Sequence, residues 1–186
     1  MTAVIIIVII VVLLLLGCVI GFNKLRRSDV KAQEALGGID VQLTRRADLV
    51  PNLVETVKGY AGHEKSVFEE VTKARTAVSQ AAKSGTVEQK STADAALDKA
   101  LVNVMAVAEN YPDLKASASF LSLQDQLATT ENQLAFARQY YNDAVATLNT
   151  QVTTIPWLFF KGMAGVDKRE FYQAPEASTA PPTVSF

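Results

Sequence analysis

His63-Glu64 is where the sequence begins to spell hydrolytic chemistry. A helical His-Glu-x-x-His would present two zinc ligands on one face, with a carboxylate between them as general base. The position four after His63 is Val67, so the second ligand is missing and the motif fails. With one histidine and one cysteine in 186 residues, neither a His/Cys cluster for structural zinc nor an internal disulfide can be assembled. The chain has no Gly-x-Ser-x-Gly elbow, no P-loop and no Gly-x-Gly-x-x-Gly. His63 therefore reads as a solvated residue at a helix start. No catalytic residue, metal ligand or cofactor is expected.

A second group of residues is unusual for its register. Arg46 falls on a core-facing position between Leu43 and Val50, and Glu131 and Arg138 share a stripe with Leu127, Leu134, Tyr141 and Val145. A buried charge without a partner is costly, so these side chains must pair. The expectation is an Arg46–Glu131 ion pair between two long helices with Arg138 beside it, fixing register rather than performing catalysis.

The charge balance points away from one partner and the hydropathy pattern points towards another. Lys+Arg 18 against Asp+Glu 19 leaves a net charge of −1, without the basic excess of a duplex-binding surface, so no nucleic acid partner is expected. The apolar fraction is 49%, but it is concentrated at one end: no charged side chain occurs from Met1 to Phe22. That run supplies the roughly 20 residues that cross a ~30 Å hydrocarbon layer as a helix. It lacks the basic n-region of a secretory signal, so it reads as a retained transmembrane anchor. Lys24, Arg26, Arg27 and Lys31 all follow it, which places the N-terminus outside and the remainder in the cytoplasm. Gly17 and Gly21 form a GxxxG through which two such helices could approach closely. Leu15-Leu16-Gly17-Cys18 competes for the same residues as a lipobox-like sequence, in which Cys18 would be lipidated; the other reading of Cys18 is a small buried apolar residue.

The elements that must position these residues are helical almost throughout. A first helix is drawn from about Asn23 to Tyr60 on Leu36, Ile39, Leu43, Val50, Leu53, Val57 and Ala61, continuing the membrane helix, with Pro51 either kinking it or splitting it. Leu49, Val41 and Val54 form its exposed apolar border. Gly59 and Gly62 mark a turn before a helix over about His63 to Ala82, and Ser84-Gly85-Thr86 marks the turn before a third over about Val87 to Tyr111. Phe120, Leu123, Leu127, Thr130, Leu134, Ala137, Tyr141, Ala144 and Leu148 keep a three-four step for about four heptads and define a fourth. The fold class is thus all-α: an N-terminal transmembrane helix running into an antiparallel up-down bundle whose first and fourth helices are long. The fourth should return close to the lipid surface near Thr153. The stretch Ile155 to Tyr172 then holds five of the fourteen aromatic residues, and Trp157, Phe159 and Phe160 with Lys161 either anchor at the headgroups or close the end of the bundle. Residues 1–22 form the anchor, 23–172 the bundle and 173–186, rich in Ala, Pro, Ser and Thr, a disordered tail.

Ile39 to Glu64, IDVQLTRRADLVPNLVETVKGYAGHE, closely resembles the signature of the bacterial LemA family. AENYPDLKAS from Ala108 to Ser117 and TENQLAFARQYYNDAV from Thr130 to Val145 resemble its second half, and Pro156 to Tyr172 resembles its closing segment. The resemblance covers about Lys24 to Tyr172. It implies a membrane-anchored helical bundle with a single N-terminal span and no catalytic activity. It also implies a role in membrane organisation or quality control, since one specialised member is implicated in forming membrane compartments and others are encoded beside membrane metalloproteases. The expected partners are membrane lipid, further copies of the chain in a homo-oligomer, and another membrane protein. Two readings follow: a self-associating scaffold, or an adaptor presenting a surface or the tail ending Val184-Ser185-Phe186 to another membrane protein.

Overall fold

The computed structural model of the chain describes residues 1–173. The disordered tail expected from residue 173 lies, from 174 onward, outside the described residues. All regular structure among the described residues is helical. α1 (Thr2–Lys58) carries the apolar run and continues without interruption past Pro51, which settles that choice in favour of one helix. α2 (Lys65–Ser84) and α3 (Val87–Glu109) follow, then the single turn α4 (Pro112–Lys115), the long α5 (Ala118–Gln151), a 3-10 turn at Trp157–Phe160 and the single turn α6 (Lys161–Ala164).

Local chemistry accounts for the breaks. Thr86 caps α3 with a reciprocal box: its Oγ1 accepts from Gln89 N at 3.2 Å, and Gln89 Oε1 accepts from Thr86 N at 2.9 Å. Pro112 occupies the first turn of α4, where its missing N–H costs nothing. Gly165 ends α6 with φ at +61°, a backbone conformation that L side chains rarely adopt. The expected third helix thus stops at Glu109 rather than Tyr111, and the one-turn α4 comes between it and the long helix expected as the fourth.

The chain divides into two compact units, and the division on α1 falls at Leu36/Gly37. Gly37-Gly38, two weak helix formers in succession, stands at that point of α1. Unit 1 comprises Met1–Leu36 and Tyr140–Phe171. Outside the uncharged run its buried side chains come from α1 (Leu25, Ala32, Ala35), α5 (Tyr141, Ala144, Val145, Leu148), Val152 just past its end, and the closing segment (Ala164, Val166). Unit 2 comprises Gly37–Gln139 and, among the described residues, Tyr172 and Gln173. α2 packs on α3 in it, and its core takes Ile39, Leu43, Val50, Leu53 and Val57 from α1, Phe68, Val71 and Val78 from α2, Leu97, Leu101 and Val104 from α3, and Phe120, Leu127 and Leu134 from α5. Burying each such side chain contributes about 1.5–3 kcal/mol before entropy is charged against it. Val54, expected on the exposed border of the first helix, is buried: it stands beside Leu53 and widens the buried stripe by one position. Val41 is 63% exposed and Leu49 half-buried.

Candidate functional site

Unit 2 encloses a cluster of charges. Arg46, 6% exposed on α1, reaches Asp94 Oδ1 of α3 with Nη1 at 2.9 Å, and the same nitrogen lies 2.9 Å from Glu131 Oε2 of α5. Its Nη2 pairs with Asp98. Arg138, two turns beyond Glu131 on α5, pairs through Nη2 with the other Asp94 oxygen and through Nη1 with Glu131 Oε1 at 3.3 Å. Tyr172 closes the group: its hydroxyl donates to Asp94 Oδ2 at 3.3 Å, and its ring centroid lies 5.5 Å from the Arg138 guanidinium carbon. The Arg46–Glu131 contact is a charge contact without hydrogen-bond alignment, and the Nε atoms of both arginines lack hydrogen-bond partners. One turn before Asp94, Lys90 is also buried and pairs with Asp40 of α1.

Three carboxylates therefore share two guanidiniums. Burial pushes the Asp94 carboxyl above its ordinary value of 3.8 against the opposing pull of Arg138 and Arg46, and Asp98 adds a smaller push. Burial disfavours the charged form of Arg138, but Asp94, Glu131 and Tyr172 outweigh it and its affinity for the proton rises. Burial, then the charge of Asp94, holds the Tyr172 phenol neutral well beyond its ordinary range. A shift of one helix by a single turn would leave buried charges unpaired.

Unit 1 carries a different arrangement at the end of the uncharged run. The ring of Phe160 lies against Gly21, where a Cβ would stand 2.1 Å from a ring carbon. Lys24 Nζ lies 4.1 Å from the centroid of Trp157, and Lys31 Nζ lies 5.5 Å from that of Tyr140. Arg26 lies 3.7 Å from Asp29, which also receives Arg169 Nη2 at 2.8 Å and Nε at 2.9 Å. Asn149 holds the Arg169 backbone at both its N–H and its carbonyl, 2.9 Å each, and Tyr141 donates to the Glu170 carbonyl at 2.8 Å. Burial raises the Tyr141 phenol in turn. Lys161 pairs with Asp167 at 2.7 Å.

The residues singled out from sequence are thus distributed over two places. Arg46, Glu131 and Arg138 come together in unit 2. Lys24, Trp157, Phe160 and Gly21 come together in unit 1, while Phe159 points outward at 72% exposure and Arg27 is exposed. The two glycines of the GxxxG differ: Gly21 is covered by Phe160 of its own chain, and Gly17 faces open space beside the half-buried Cys18. His63 is exposed. Asp94, Asp98 and Tyr172 were not expected. The stripe Leu97, Leu101, Val104, Ala108 continued backwards at the same step lands on Asp94 and Lys90, so register alone could have found both.

A family model described as the LemA family matches residues 35–186. The chain is 27% identical over 165 residues to "Magnetosome protein MamQ 2" of Paramagnetospirillum magneticum, with 76% of this chain and 61% of that protein covered. It is 25% identical over 173 residues to "Magnetosome protein MamQ" of Magnetospirillum gryphiswaldense, with 81% and 64% covered. It is 26% identical over 134 residues to "Protein LemA" of Metamycoplasma hominis, with 71% and 59% covered. The chain therefore spans less than two thirds of the length of these curated relatives. The family match runs through most of the chain and takes in every residue of the buried charge cluster, and the chain belongs to the LemA family.

Proposed function

We propose that the protein is a non-enzymatic, membrane-anchored scaffold that acts by self-association and protein–protein contacts at the bacterial cytoplasmic membrane. The observation that carries this reading is the use of charge in unit 2. Its buried ionisable groups are committed to one another, while large apolar side chains remain on the outside: Val41 at 63%, Val102 at 66%, Leu121 at 51% and Phe136 at 72% exposure. Exposed apolar groups on a rigid helical body suit docking to further copies better than turnover of a small substrate.

α1 supports the anchored part of the reading. It is long and apolar enough to cross a membrane, and no part of its apolar window is buried. With Lys24, Arg26, Arg27 and Lys31 following the span, the N-terminus lies outside and the helical body, an antiparallel up-down bundle, in the cytoplasm. The two MamQ relatives carry magnetosome names, which accords with a role in organising membranes.

Chemical cross-linking of the full chain in its own membranes tests this. A ladder at multiples of the chain's mass, lost in Val41→Asp and Phe136→Asp, is the expected result. A single adduct with a second protein at fixed stoichiometry, unaffected by those changes and lost on removing residues 173–186, would replace the scaffold with an adaptor for another membrane protein such as a metalloprotease.

A further inference from the structure

We infer that residues 155–163 form a second, interfacial contact with the bilayer beside the α1 span, and that this contact together with the Lys24/Arg27/Lys31 face of α1 gathers anionic phospholipid headgroups. The inference rests on α1 being inserted in a membrane. Phe160 seated on Gly21 fixes the level of the segment, because Gly21 lies in the last uncharged turn of α1 and the first charge, Lys24, covers Trp157. Whatever depth the span adopts, the segment lies beside its end.

At that level the segment turns large apolar side chains outward. Ile155 is 73% exposed, Phe159 72%, Met163 55% and Leu158 43%. Four large apolar side chains exposed within nine residues are a grouping that soluble surfaces avoid. At the boundary between headgroups and acyl chains, aromatic and aliphatic side chains are immersed, and Trp157 with Lys24 over its ring has the apolar body and wet tip that suit this zone.

The adjoining face of α1 supplies the charge. Ile20, Asn23, Lys24, Arg27, Ser28 and Lys31 line a shallow recess of about 420 Å³. No carboxylate lies within ion-pair distance of Lys24, Arg27 or Lys31 among the described residues, whereas Arg26 and Arg169 share Asp29 and Lys161 is taken by Asp167. Three cations without a carboxylate partner, flanked by an amide and a hydroxyl, match a phosphodiester. They favour lipids with net negative headgroups over zwitterionic ones, whose own ammonium cancels the attraction.

Trp157 is the only tryptophan, so its fluorescence reports this segment directly. The test uses the full chain in vesicles of phosphatidylcholine and phosphatidylglycerol, with bromine placed on either lipid and at either end of the acyl chain. Flotation with the vesicles reports anchoring by α1 independently. Lipids brominated near the headgroup end should quench Trp157 more than those brominated deeper. At equal bromine content, brominated phosphatidylglycerol should quench at least about twofold more than brominated phosphatidylcholine. Arg27→Gln with Lys31→Gln should erase that preference, and Leu158→Ser with Phe159→Ser should reduce all quenching, with flotation unchanged in both. Floated protein whose Trp157 no bromolipid quenches overturns the second contact. Equal quenching by the two lipids overturns the headgroup preference. Loss of flotation in the parent chain removes the anchoring reading itself and this inference with it.

Discussion

Arg75 Nε of α2 lies 3.3 Å from the carbonyl oxygen of Ala47, the group on α1 that Pro51 leaves without its helical donor. A proline inside a helix has no N–H for the carbonyl four residues back, and its ring crowds that carbonyl. Here a side chain from the neighbouring helix supplies the donor, so α1 continues past Pro51 and is tied to α2 at the same point. Pro51→Ala restores the backbone bond. The helix-propensity gain of about 3 kcal/mol, less the native accommodation and up to about 1 kcal/mol from a looser unfolded chain, leaves an expected net stabilisation of about 1–2 kcal/mol. Arg75→Ala should cost about 0.5–1.5 kcal/mol in the parent and distinctly less in Pro51→Ala. A double-mutant cycle from urea unfolding with no coupling between the two would mean that Arg75 does not serve this carbonyl.

Asp94 and Asp98 sit one turn apart on α3 and both meet Arg46, yet their side chains are 1% and 38% exposed. Asp94 also holds Arg138 and accepts from Tyr172. Asp94→Ala takes a carboxylate partner from two guanidiniums at once, leaving Arg46 to Asp98 and Glu131 and Arg138 to Glu131, and should cost about 1.5–3 kcal/mol, whereas Asp98→Ala, at a wet edge, should cost about 1 kcal/mol or less. Reversing Arg46 and Glu131 together should not recover stability, because a glutamate at position 46 would face Asp94 and Asp98. Equal costs for the two alanine variants in thermal or urea unfolding would refute the network as described.

These geometries show what the sequence could and could not disclose. The α5 stripe from Phe120 to Leu148 was legible because each buried residue repeats the helical period, and nearly all of its members are buried. Arg46, Glu131 and Arg138 were legible for the same reason, as charges placed where the period demands apolar groups. Tyr172 was not, because it lies in a segment without helical period and reaches the cluster only through the folded chain. The seating of Phe160 on Gly21 was hidden likewise: a glycine at the end of an apolar run says nothing about which distant ring will cover it.

Tyr172 makes the cluster sensitive to alkali. Its phenol ionises near the ordinary 10.0 in the unfolded chain but stays protonated in the fold, where burial and Asp94 oppose the phenolate. A pKa raised in the native state means that the folded chain keeps a proton the unfolded chain has lost. Stability is thus intact below pH 10.0 and falls as pH climbs above it, by about 1.4 kcal/mol per pH unit for each such group. Tyr172→Phe gives up the bond to Asp94 and should be about 1 kcal/mol less stable than the parent at pH 8. The deficit should shrink by pH 11, since the variant has one fewer proton to lose; Tyr141, raised in both chains, cancels from the comparison. A deficit that stays constant from pH 8 to 11 in urea titrations would show that the fold does not hold Tyr172 neutral.

Gly17 and Gly21 separate packing within the chain from packing between chains. A side chain at Gly21 must displace the Phe160 ring, which would stand 2.1 Å from the new Cβ, whereas at Gly17 nothing lies within 4 Å. Gly21→Leu should therefore push out the 3-10 turn that also carries Trp157 and release the indole from beneath Lys24. Its accessibility to acrylamide should rise in Gly21→Leu and stay at the parent level in Gly17→Leu. A dimer built on the GxxxG would respond differently, because both glycines would then face the partner helix and both substitutions would weaken it. Cross-linking yield read beside Trp157 quenching on the same two variants distinguishes the cases. An asymmetric response assigns Gly21 to Phe160, and equal loss of cross-linking with unchanged Trp157 assigns both glycines to a helix pair.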